Sequence, residues 1–307
     1  MSKKPSRREF FERTLGVSAA AAVAGSFSFE DQMLMAQLVD RSKSDSPQEP
    51  ITGLQSGEFC GLRVSRLIIG GNLISGSAHA GELLYQSALM THYFDTERIL
   101  KTWALAEANG INTTLMRCDP HIIEHYKKFR ERGGRMQWFA QSAPEQGDPV
   151  ENARTALNSG ASAIYLHGGR SDAMVEQGKV EEIGRIVAGM KKLGIRAGVG
   201  GHKLETIRAV EEAGVDPDFY MYTVNRVGYL SSEPEKIADY MAAVDRPWIG
   251  FKVLGAGRDR PKDGFRHAFE RGADFICVGM FDWQVRDDVS FVKRMLDDGI
   301  ERPRAWA

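Results

Sequence analysis

Cysteine is scarce: Cys60, Cys118 and Cys277 are the only three in 307 residues, far apart and without a CxxC spacing. An odd, scattered set argues against a disulfide framework and against a cysteine-based zinc site. An excess of charge of one sign is missing too. Forty Lys and Arg against forty-one Asp and Glu leave a formal net charge of -1, with no basic block outside the extreme N-terminus, so no nucleic-acid partner is expected. The apolar, Ala-rich run from Leu15 to Ala24 is too short to span a bilayer comfortably, so no stable membrane span is expected after processing. No GxGxxG opens the first helical stretch, which weighs against an open doubly wound dinucleotide-binding sheet.

What is present begins with an address. Basic residues precede the Leu15–Ala24 run, and small residues follow it. "SRREFF" (Ser6 to Phe11) resembles a twin-arginine export signal, with Arg7 and Arg8 as the pair, Phe10 at the expected offset and Glu12 where a Lys is often found. Residues 1–36 therefore read as a signal, cleaved after Ala24 or near Ala36, with the twin-arginine translocase as export partner and a periplasmic or other extracytoplasmic destination. The polar residues 37–60, including "RSKSDSPQEP", read as a linker.

From residue 61 the chain alternates between short β-branched or aromatic runs and amphipathic helical stretches. The expected strands are 66–72, 111–117, 136–141, 163–169, 195–202, 218–225, 248–255 and 274–280. The helices between them end in a shared stop signal, a glycine just past a polar last turn, as in "LAEANGI" and "ALNSGAS". Eight βα units of this total length predict one α/β domain, a (β/α)8 TIM barrel over 61–307. The connection 73–94 is too long for a simple βα loop and predicts an inserted helical segment over the barrel mouth, carrying His79, Tyr85, His92 and Tyr93.

Chemistry in this fold sits where strands end. The strand ends supply Asn72, Arg117 with Asp119, Gln141, His167, His202 with Lys203, Asn225 with Arg226, Lys252 and Asp282. A polar, partly cationic mouth rich in hydrogen-bond donors suits an anionic or polyhydroxylated small molecule. Lys252 lies inside the apolar strand "WIGFKVLG", where a charge is costly unless it points into a polar cavity. It reads either as an electrophile, Schiff-base former or general acid, or as a lysine paired with a carboxylate inside the barrel. His167 and His202 end adjacent strands and are candidates for general acid–base work near neutral pH. Two histidines with Asp119 would be a thin metal site, and no metal is expected. Gly255, Gly257 and Gly279 follow the last two strands, where such barrels often bind phosphate.

Several stretches are similar to aldo/keto reductases: "GLRVSRLIIGGN" (61–72), "IYLHGG" (164–169), "GVGGHKLETIRAVEEAGVD" (198–216), "IGFKVLGAG" (249–257) and "GADFICVGMFDWQVRDDVSFV" (272–292). The resemblance covers nearly the whole chain from residue 61. It implies a barrel acting on a small carbonyl or carbohydrate substrate, with His167 as the active-site histidine and NADP as cofactor. The family's Tyr acid and Lys are not matched. Gln141 stands at the Lys position, Asp119 is a loose match to the family's Asp, and Tyr126 lies well into a helix. The residues that would hold the nicotinamide become Gly200–Gly201, and the phosphate-gripping turn keeps only Arg286 beside two acids. The expectation is His167 and Lys252 as catalytic residues and Asn72, Arg117, Asp119, Gln141, His202 and Asn225 as substrate ligands. Gly255, Gly257, Gly279 and Arg286 would meet a cofactor. A lyase or isomerase with a His/Lys proton shuttle, and a non-catalytic sugar- or cofactor-binding protein, are the alternatives.

Overall fold

The computed structural model describes residues 49–77, 83, 85–231 and 233–306. The expected signal (1–36), linker residues 37–48 and His79 lie outside them. Everything below belongs to the unit Pro50–Ala307.

The chain enters through an antiparallel hairpin, β1 (Ser56–Phe59) and β2 (Leu62–Ser65). Its two-residue turn, Cys60–Gly61, has φ of 49° and 81°, the doubly left-handed pattern that matches the twist of a tight hairpin. The strands β3 (Leu67–Gly70), β4 (Thr113–Arg117), β5 (Gln137–Gln141) and β6 (Ala161–Leu166) follow. With β7 (Arg196–Gly201), β8 (Phe219–Thr223), β9 (Trp248–Phe251) and β10 (Phe275–Gly279) they close into a parallel barrel, ordered β10-β3-β4-β5-β6-β7-β8-β9. This is the predicted (β/α)8 barrel, and each of its eight strands overlaps an expected one.

Ten α-helices are present among the described residues. They are α1 (Gln86–Tyr93), α2 (Thr96–Ala108), α3 (Pro120–Glu131), α4 (Pro149–Asn158), α5 (Gly168–Glu176), α6 (Val180–Lys192), α7 (Leu204–Glu212), α8 (Pro234–Ala242), α9 (Pro261–Glu270) and α10 (Asp282–Asp297). Local chemistry sets their ends. Asp95, Asp119 and Asp148 cap α2, α3 and α4 by accepting backbone N–H bonds in the first turn. The expected glycine stops hold, with Gly110 after α2 and Gly160 after α4 at φ of 91° and 93°.

Two elements differ from the sequence reading. Residues 56–59 were expected as linker, yet they form β1. A four-residue strand carries too little periodicity to be read, and β1 is held by burial. Phe59 is fully buried at the barrel floor, with ring centroids 4.8 Å from Phe139, 4.9 Å from Phe219 and 5.5 Å from Phe275. The second difference is α5, a helix between β6 and α6. The expected strand 163–169 ends at Leu166, because His167 already occupies the N-cap position of α5.

Phe59→Ala should cost about 3–5 kcal/mol of unfolding free energy, the range for a buried aromatic truncated to alanine. Urea denaturation followed by circular dichroism would measure it. A loss below about 1 kcal/mol would show that the hairpin does not seal the core.

Candidate functional site

At the carboxyl ends of the barrel strands lies a cavity of about 730 Å³. Leu115, Tyr165, Met221 and Cys277, which face the barrel axis, form part of its lining. Gln86, Leu89, Met90, His92 and Tyr93 contribute from the α1 side. Helix α1 is pinned to the start of α10. The Tyr93 hydroxyl donates to Asp282 Oδ1 (2.5 Å), Arg98 meets Asp282 Oδ2 (3.0 Å), and the Tyr93 ring meets Phe281 edge-on.

The two histidines follow the neighbouring strands β6 and β7, whose ends pack backbone on backbone at two glycines. A Cβ at Gly200 would lie 2.9 Å from Gly168 N and 3.0 Å from Leu166 O, and one at Gly168 would lie 2.8 Å from His202 Cε1. Only glycine fits at either position. His202 Nδ1 lies 2.7 Å from Asp172 Oδ2, and the other carboxylate oxygen accepts from His202 N (3.2 Å) and Thr206 Oγ1 (2.7 Å). Asp172 is nearly buried and comes from α5, so this additional helix supplies the carboxylate that orients the ring. The pair fixes the proton on Nδ1 and leaves Nε2 to exchange one.

His167 is held differently. Its backbone N–H donates to Ser142 Oγ (3.0 Å), while its Nδ1 is buried with no hydrogen-bond partner. Burial first, then the nearby His202, Arg117 and Lys252, push this imidazole down to about 4, so it is neutral at pH 7. Lys252 sits just past β9 with φ of 57°, a left-handed conformation that costs a non-glycine residue about 1–2 kcal/mol. Its Nζ lies 5.1 Å from the Phe251 ring centroid and 5.9 Å from that of Tyr229. Burial pushes its ammonium down to about 8.

Of the predicted substrate and catalytic residues, Asn72, Arg117, Gln141, His167, His202 and Lys252 line this cavity, and the glycines Gly257 and Gly279 join them. Four predicted residues do not. Asp119 is the cap of α3, and its other carboxylate oxygen lies 3.5 Å from Arg117 Nε. Asn225 is fully buried as a loop brace, donating to Tyr229 O (3.0 Å) and accepting from Tyr229 N (2.8 Å). Gly255 turns the loop after β9 beside Val227, and Arg286 lies on α10 beyond the lining. Arg117 is engaged by Glu145 as well as Asp119, so two carboxylates offset its charge. Outside the cavity, Arg226 clamps Asp259 through two 2.7 Å bonds, and Lys203 pairs with Glu176.

Three lining or supporting residues were missed. Tyr165 stands two residues before His167 on the same face of β6, and its hydroxyl accepts from Gln141 Nε2 (2.5 Å), leaving its own proton to be donated. Period-two alternation back from His167 would have found it. Tyr229 is carried in by the Asn225 brace, which no local pattern signals. Asp172 lies five residues after His167, and only the unanticipated α5 brings it to His202.

Three further phenols that the sequence brings to notice do not face the cavity with a proton to give, or lie in solvent. The Tyr126 hydroxyl donates to Met136 O in the core, Tyr93 is bound to Asp282, and Tyr85 is 71% exposed. The residues present do not fit NADP. The first turn of α10, where its phosphate would be gripped, carries the Asp282 carboxylate, and the Phe281 N–H is taken by Gln284 Oε1 (3.0 Å). Trp283 stacks on Phe281 there, and Gly200–Gly201 offers no side-chain amide or hydroxyl to a nicotinamide. No cluster of three metal-ligating side chains is found among the described residues.

No family model and no curated protein matches the chain. Solved structures do match in fold. One, described as "Putative aldo-keto reductase from Pseudomona aeruginosa", is 18% identical with a TM-score of 0.58, covering 80% of this chain and 97% of its own. Gox0644 in its apo form is 13% identical with a TM-score of 0.53, covering 83% and 97%. A substituted Gox0644 in complex with NADPH is 14% identical with a TM-score of 0.54, covering 79% and 94%. The chain thus has the barrel of aldo-keto reductase-like structures, at identities that speak to fold alone.

The His167 environment gives a pH signature. The unfolded chain protonates this imidazole near its ordinary value of 6.5 and the folded chain only near 4. The unfolded state therefore binds more protons across that window, and stability falls as pH drops through it. His167→Gln should lose less stability than wild type between pH 6.5 and 4, measured by urea unfolding. Equal losses would contradict a buried neutral His167.

Proposed function

We propose that this chain is an enzyme that moves protons on a small carbonyl or carbohydrate substrate bound at the barrel mouth, by lyase or isomerase chemistry. The observation that carries this reading is the His202–Asp172 pair within a cavity that also holds a neutral His167 and a lysine. Its geometry suits a general base, because Asp172 orients the ring and stabilises the imidazolium formed when Nε2 accepts a proton. Negative charge developing on the substrate oxygen meets hydrogen-bond donors at Tyr165 and His167, with the Lys252 amine in the same lining. Asn72, Gln141 and Arg117 would orient the polar groups of the substrate.

A nicotinamide-dependent reductase is the reading that the fold neighbours favour, one of which holds NADPH. The carboxylate at the start of α10 and the absence of side chains at Gly200–Gly201 weigh against it here. We further read residues 1–36 as a twin-arginine signal, so the folded enzyme would work outside the cytoplasm. Changing Arg7 and Arg8 to Lys should retain the protein in the cytoplasmic fraction. Unchanged distribution on fractionation would remove the export reading.

The chemistry is testable without knowing the natural substrate. The purified protein in D2O should speed deuterium uptake at the carbon next to the carbonyl of dihydroxyacetone or glyceraldehyde, followed by NMR. His202→Ala should slow that exchange by about 10²–10⁴-fold, the usual worth of a general base. No acceleration by wild type, or full exchange in the variant, would remove the proposal.

A further inference from the structure

We propose that Lys252 attaches covalently to the substrate, its amine condensing with the carbonyl carbon to form an imine that serves as the electron sink for proton transfer at the neighbouring carbon. This deepens the reading above and rests on it.

Four observations carry the assignment. Among the described residues, Lys252 is the only lysine lining the cavity. Its backbone holds a left-handed conformation just where β9 ends, a strained position at which this chain carries a lysine rather than a glycine. Its amine is set between the Phe251 and Tyr229 rings, which fix its place, and it is buried with Val253 and Leu254 in the same lining, so loss of water favours the uncharged amine. Finally, the proton carrier lines the same cavity and shares a neighbour with the amine: the Phe251 ring centroid lies 5.1 Å from that of His202 and 5.1 Å from Lys252 Nζ. Burial supports the same point, since an amine brought down to about 8 is roughly one-tenth neutral at pH 7.

The atoms balance without a redox partner. The Nζ lone pair attacks the carbonyl carbon, the C=O π pair moves to oxygen, and a proton passes from nitrogen to that oxygen to give a carbinolamine. The C–O bond then breaks, and the oxygen leaves as water with a proton from the His202 imidazolium, which took that proton from the Lys252 ammonium before the attack. The product is a protonated imine and a neutral His202. His202 next removes a proton from the adjacent carbon, the C–H pair forms an enamine, and the iminium charge is discharged. Protonation of the enamine and addition of water reverse the sequence. The substrate class is a small aldehyde or ketone with a C–H next to the carbonyl, its hydroxyls meeting Asn72, Gln141 and Arg117.

The experiment traps the imine. Purified protein is incubated with dihydroxyacetone, glyceraldehyde or pyruvate, reduced with sodium borohydride, digested and mapped by mass spectrometry. The expected result is one reduced adduct per chain, on the peptide bearing Lys252, absent in Lys252→Arg and Lys252→Met. Both variants should show circular dichroism spectra like wild type, and Lys252→Arg, which keeps the charge but cannot condense, should lose at least about 100-fold in deuterium exchange. An adduct spread equally over surface lysines in wild type and Lys252→Met would overturn the assignment. Exchange by wild type without any Lys252 adduct, and retained by Lys252→Arg, would overturn the imine while leaving the His202 reading intact. Neither exchange nor adduct would remove both.

Discussion

The close approach of the β6 and β7 carboxyl ends is the constraint on which the mouth of this barrel depends. Gly168 and Gly200 carry no side chain where any other residue would strike backbone or the His202 ring. That contact lets His167 start α5 beside His202. Helix α5 in turn presents Asp172 to His202 from its second turn. Widening this junction by one methyl group would separate the imidazoles, the carboxylate and the helix start together. A packing requirement of backbone against backbone thus sets the geometry of the His202–Asp172 pair.

The mouth concentrates groups that burial penalises. His167, Lys252 and Arg117 share a partly desolvated cavity, and the two cations raise the cost of charging His167. The two carboxylates on Arg117 and the single one on His202 offset part of that repulsion from outside the lining. What remains is one neutral imidazole, one imidazole oriented by a carboxylate, and an amine of reduced basicity. Such arrangements cost stability locally. The fully buried Phe59 plug and its aromatic neighbours at the opposite end of the barrel contribute a rigid floor.

Legibility followed the range of the physical signal. Strand positions, helix stops and the eight-fold alternation rest on local periodicity and turn chemistry, and all were readable. Strand-end position pointed to six residues that do line the cavity, because the end of a parallel barrel strand places its side chain at the mouth whatever the details. It failed for Asp119 and Asn225. Both are polar residues at strand ends, but one is spent on a helix cap and the other on a loop brace. Neither use can be told from ligand binding without seeing the partner atoms. Tyr165 was readable in principle from alternation along β6, but it is buried and reads as core.

The amino-acid sequence by itself determined the barrel, the polarity of its mouth and the suggestive placement of His167 and Lys252, since these depend on residue type, spacing and strand direction. Only the tertiary structure decided which groups act together. The Asp172–His202 pair, the Gln141–Tyr165 bond, the capture of Tyr93 by Asp282 and the Phe59 floor each join residues far apart in the chain or on separate elements. Such pairings follow from barrel closure and register, a property of the whole sheet that no local window of sequence contains.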